Sequence, residues 1–103
     1  MANPHRGEVT ITLDGKPRVM RLTLGALAEL EARLDCQSLI ALAEKFEQGE
    51  VSTAELIALI AAGLKGAGAP MAEADVAEAE IEGGAVGAMR AGLALISAAF
   101  QAE

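Results

Sequence analysis

Tryptophan and tyrosine are missing from this sequence, and Phe46 and Phe100 are its only aromatic residues. Packing therefore falls to alanine, leucine and isoleucine, which favours close helix–helix contacts over thick sheet sandwiches. No aromatic platform exists on which single-stranded bases would stack. Lysine and arginine are scarce and scattered, eight against fifteen acids, for a formal charge of −7. Nucleic acid is thereby disfavoured as a partner, because phosphate contacts need clustered cations. A single cysteine, Cys36, can form no internal disulfide, which fits a reducing cytoplasm or an indifferent thiol. The first residues, MANPHRGEV, contain no apolar stretch of the kind a signal peptide needs, so a cytoplasmic protein is expected.

The usual instruments of catalysis are also absent or isolated. His5 is the only histidine, and a nucleophilic pair with Cys36 would need a third, orienting group that the sequence does not offer. Cys36 reads as a small buried hydrophobe. The acids Glu73, Asp75, Glu78, Glu80 and Glu82 lack the glycine and terminal glutamate of a calcium loop and read as a solvated helix face, or as an electrostatic guide for a basic partner. Gly83-Gly84 is no phosphate loop, since neither a GxxxxGK[ST] pattern nor a preceding strand accompanies it. Neither an enzyme nor a cofactor or metal site is expected.

What is present is apolar and patterned. About half of the 103 residues are hydrophobic, enough for one folded domain spanning 1–103 and too few residues for two. Residues 1–7, with Pro4 and Gly7, read as an irregular arm. From Glu8, Val9, Ile11 and Leu13 alternate with Thr10 and Thr12, the period of a half-buried strand. Asp14-Gly15-Lys16-Pro17 supplies a turn, and Val19 to Leu24 return, so a β-hairpin is expected over 8–24. Pairing Leu13 with Arg18, Ile11 with Met20 and Val9 with Leu22 places five apolar residues on one side. A lone hairpin is marginal in water, so that side must rest on helices or on another subunit.

Residues 25–103 read as helical. Thr23 caps a first helix with Leu24, Leu27, Leu30 and Leu34 as its stripe, and Asp35 to Ser38 break it. Ser38 caps a second helix with Leu39, Leu42, Ala43 and Phe46 inward, ended by Gly49. Ser52 and Glu55 form a capping box for a third, apolar around most of its circumference and so the most buried. Gly66 and Gly68 stop it. A short acidic helix follows, holding Met71, Val76 and Ile81 inward. The expected fold is α+β, mostly α: an N-terminal hairpin and about five helices in one compact domain.

The last helix poses its own question, because EGGAVGAMRAGLALISAAF resembles a membrane span. A span needs about twenty consecutive apolar residues. Arg90 divides the run, and Glu82 and Gln101 bracket it, so no span is expected. Val86, Met89, Leu93, Ile96 and Phe100 recur at spacings of three and four and form one stripe. Beside it runs a strip of small residues, Ala85, Ala88, Gly92 and Ala99, with Leu95 among them. Most of the stripe is expected in the core of a helical layer. The face of Gly87, Arg90, Ala91, Ala94 and Ser97 has little polar character and suits an assembly contact.

Together, NPHRGEVTITLDG, RLTLGALAELEARL, LIALAEKFEQG and IEGGAVGAMRAGLAL resemble the small tail-assembly proteins of gene transfer agents, a family placed among phage tail assembly chaperones. The similarity covers nearly the whole chain, and its motifs are structural, not catalytic. Members carry two descriptions, tail tube protein and tail assembly chaperone. A tube subunit must supply an extended sheet that continues around a ring, whereas this chain offers one hairpin, so the chaperone description is expected to fit. The resemblance implies binding to a tape measure protein during tail assembly, with the tail tube protein a further partner. For such binding the last helix, through Val86, Met89, Leu93, Ile96 and Phe100, is expected to supply part of the surface by helix-in-groove contact. The alternative is a structural tail component retained in the particle. Self-association is allowed by the open hairpin edge.

Overall fold

Two left-handed residues set the start of the fold in the computed structural model, which describes residues 6–101. Asp14 and Gly15 take φ of 52° and 77°, the conformation of a two-residue hairpin turn whose twist matches the strands it joins. The strands β1 (Glu8–Leu13) and β2 (Lys16–Arg21) are antiparallel, with Val9 opposite Met20, Ile11 opposite Arg18 and Leu13 opposite Lys16. This register differs by two residues from the one expected with a four-residue turn. The shift is even, so the faces survive: Ile11, Leu13, Met20 and Leu22 are buried on one side, and Val9 packs beside them. Pro17 lies within β2 opposite Thr12, where the N–H it lacks would point away from β1, so the ladder loses nothing. His5 and the first four residues of the expected arm lie outside the described residues.

The helices begin where side chains can satisfy backbone donors. Thr23 accepts from the Ala26 N–H at 3.1 Å and opens α1 (Leu24–Arg33). Ser38 does the same for Ala41 and opens α2 (Leu39–Glu47). At α3 (Thr53–Gly66) the Glu55 N–H donates to Ser52 Oγ at 3.1 Å, and the Ser52 N–H donates to Glu55 Oε1 at 2.8 Å. A short α4 (Glu73–Glu78) and a long α5 (Gly84–Gln101) complete the order. Five helices after one hairpin is the architecture expected from the sequence. No helix among the described residues is long and apolar enough to cross a membrane.

One hydrophobic cluster joins hairpin and helices. β2 lies against α3 and β1 against α5, with Met20, Leu59, Leu64 and Leu95 fully enclosed. Gly63 makes the approach possible: a Cβ there would sit 2.7 Å from a Leu95 methyl and 3.0 Å from the Met20 Cβ. The expected burial of α3 is found, with Ala58 to Ala61, Gly63 and Leu64 buried and Ala62 half-buried. The α1 stripe departs from expectation, since Leu24 is 83% exposed while Ala26, Leu30 and Leu34 form the buried line. Leu24 lies about 200° around the helix from Ala26, nearly opposite it. Cys36 is half-buried against the core, its thiol 3.8 Å from the Leu34 carbonyl oxygen.

The segment after α4 closes on the hairpin. Asp14 accepts the Glu80 N–H on Oδ1 at 2.8 Å, and its own N–H donates to the Glu80 carbonyl at 2.7 Å. The Glu82 N–H donates to the Thr12 carbonyl at 3.1 Å, and Ile81 bridges to Leu13. These bonds bring the start of α5 beside β1. Val76 is buried, and Met71 and Ile81 are half-buried against the core.

Candidate partner-binding surface

Small residues decide which way α5 turns. Gly92 lies against α3, where an added Cβ would come within 3.0 Å of a Leu59 methyl and 3.1 Å of a Leu56 methyl. So close an approach turns the middle of the small strip inward: Ala88, Gly92 and Leu95 are buried, joined by Ile96, while Ala99 is half-buried and Ala85 is exposed. The stripe of larger residues is consequently divided. Ile96 belongs to the core, Met89 and Leu93 are half-buried, and Val86 and Phe100 are 67% and 52% exposed. Of the outer face, Arg90, Ala94 and Ser97 are exposed, and Gly87 and Ala91 are half-buried.

Phe100 gathers an apolar surface at the C-terminal end of α5. A narrow cleft runs between it and Leu27 of α1, Leu42 of α2, Ile96 and Ala99. On its other side a groove of ≈ 340 Å³ is lined by Ala43 and Glu47 of α2 with Leu93, Ile96, Ser97 and Phe100. Three of the five stripe residues thus meet at one surface. Val86 and Met89 line neither hollow. Leu27, Ala43 and Glu47 complete the surface and were not legible in the sequence, since their role depends on how α1 and α2 cross α5.

An ion pair holds α2 in place. Lys45 Nζ is 2.8 Å from Glu55 Oε2, joining α2 to the capping box of α3. The hydrogen bond to Glu55 holds the Lys45 ammonium above its ordinary pKa, against an opposing effect of burial. In return the Lys45 bond, followed by the Ser52 N–H, holds the Glu55 carboxyl below the usual range. Among the described residues no group of three or more His, Cys, Asp or Glu is arranged to hold a metal ion. The surface around Phe100 is apolar, rimmed by Glu47 and Ser97.

A family model described as "Phage tail tube protein, GTA-gp10" matches residues 6–102. No curated protein and no solved structure matches the chain significantly.

Proposed function

The chain belongs to the GTA-gp10 phage tail tube protein family, and from that membership we propose that it serves tail assembly as a chaperone of the tape measure protein. Membership makes it a phage tail protein of the gene transfer agent type; the chaperone role is the finer step. The observation that carries this step is the apolar surface around Phe100, which lies at the helical end of a fold whose sheet has two strands among the described residues. A tape measure protein is a long, largely helical chain whose apolar faces need cover before the tube encloses them. Leu93, Ile96, Ala43 and Phe100 offer a groove in which one such face can lie. Small side chains with a single aromatic anchor give weak contacts, suited to displacement when tube subunits arrive.

The family's description supports a second reading more directly: a tail tube or tail-associated component that stays in the particle. Quantitative mass spectrometry of purified particles separates the two. A chaperone is absent or far below one copy per tube subunit, and a retained component is stoichiometric. The surface itself is tested by co-expression with the tape measure protein, using Phe100→Asp and Leu93→Asp. Both variants are expected to fold and to lose co-purification. Undiminished co-purification with folded variants overturns the assignment of the surface.

A further inference from the structure

We infer that the groove beside Phe100 takes a helix bordered by lysine and arginine, about two turns of apolar face between cationic flanks. The inference rests on the reading that this groove receives a polypeptide segment, and it names the chemistry of that segment. The apolar surface reaches past the groove itself. Ile40 on α2 is 67% exposed and shares a face with Ala43 and Glu47, at spacings of three and four. Leu24 on α1 stands one turn before Leu27, which lines the neighbouring cleft. Leu24, Ile40 and Phe100, three of the four large hydrophobic side chains exposed among the described residues, thus stand on the helices that meet here. Apolar exposure so concentrated marks a contact with another chain.

The walls set the size of the occupant. Ile40 to Glu47 on α2 and Leu93 to Phe100 on α5 each span two turns, about 10 Å. That length suits anchors at i, i+3 or i+4, and i+7 of a helix laid between them.

Charge fixes what flanks those anchors. Glu47 lines the groove, Glu44 is exposed one turn from both Ile40 and Glu47, and Glu31 follows Leu27 by one turn on α1. None of these three carboxylates has an ion-pair partner among the described residues. The eight lysines and arginines are all engaged or placed elsewhere. Lys45, the cation of α2, is turned to Glu55, while Arg33 and Lys65 are held by Glu73 and Glu29. Arg90 lines a separate groove against β1, and the other four lie in or just before the hairpin, which lines neither hollow. The field over the Phe100 groove is therefore negative and favours a cationic border. A second copy laid groove to groove would set these acids against each other, in a chain that already carries −7.

Fluorescence anisotropy on the full chain tests this with three designed peptides of about 18 residues, long enough to hold a helix. One carries a Leu/Ala stripe flanked by lysine, one the same stripe flanked by glutamate, and one the lysine flanks with the stripe scrambled. At about 20 mM salt the first is expected to bind at least about tenfold more tightly than either other, and its advantage over glutamate flanks should shrink as salt rises. Phe100→Asp is expected to abolish that binding, and the double variant Glu44→Lys/Glu47→Lys to remove the preference for lysine flanks. Asp75→Lys/Glu78→Lys makes the same change of net charge on α4, which lines neither hollow, and should keep the preference within about twofold. Circular dichroism checks that every variant folds. Equal binding of the lysine- and glutamate-flanked peptides overturns the proposal, and so does equal loss of preference in the α2 and α4 variants. A dimer in sedimentation velocity that Phe100→Asp dissolves also overturns it, by making a second copy the occupant. The tape measure protein enters none of these measurements, so an indifferent chain overturns the charge assignment even where co-purification with that protein persists.

Discussion

Lys45 and Glu55 meet at 2.8 Å, and through them the helix that lines the Phe100 groove is tied to the N-terminal cap of the most buried helix. Glu55 serves twice, accepting from the Ser52 N–H and from the Lys45 ammonium. The surface around Phe100 is therefore braced by a bond that responds to pH.

The direction of that response follows from the two shifts. Glu55 is held below its ordinary pKa, so its contribution is fully present above the unfolded value of about 4.3 and is lost as pH falls through the folded value. Lys45 is held above its ordinary value, so its contribution is present below about 10.4 and is lost as pH rises through the folded value. Thermal melts of the wild-type chain and Glu55→Gln from pH 7 to pH 3 test the acid limb. The variant is expected to be less stable at neutral pH, and the gap should close in acid. Ser52→Ala, which removes the cap acceptor, is expected to cost about 1 kcal/mol.

The two phenylalanines make a matched pair. Phe46 is fully enclosed and Phe100 is half in solvent. Phe46→Ala is expected to cost about 3–5 kcal/mol by opening a cavity in the core. Phe100→Ala is expected to cost less than about 1 kcal/mol, since its site is open at the surface. Urea unfolding followed by circular dichroism checks both. Near-equal losses would mean that Phe100 is a core residue and no anchor for a partner.

Asp14 couples turn geometry to the placement of α5. It holds a positive φ and accepts the Glu80 N–H, so one substitution affects both. Asp14→Ala is expected to destabilise by about 1–3 kcal/mol, from left-handed strain and a lost hydrogen bond. Amide hydrogen exchange supplies the specific signature. The Glu80 and Glu82 amides should lose protection while those within α3 keep theirs. Asp14→Asn, which tolerates the left-handed conformation and keeps an acceptor, should restore most of both.

Local chemistry was legible in the sequence wherever one segment decides the outcome alone. Thr23, Ser38 and Ser52 cap helices because their side chains reach donors three residues away. The faces of the hairpin were legible because alternation survives any even shift of register. The register itself was not, because Asp14 adopts a left-handed conformation that only Gly15 announced. Leu24 and the α5 stripe failed for a related reason: spacing shows that a helix has an apolar side, and packing decides which side is buried.

The chain by itself determined an acidic, helix-rich domain with one N-terminal hairpin. Capping, turn residues and periodicity act over a few positions and need nothing else. Only the tertiary structure decided that the middle of the small strip of α5 turns inward and that Phe100 is left at the surface between α1 and α2. Each of these depends on how closely separate segments can approach, and interatomic distance across a core is written in no single stretch of sequence.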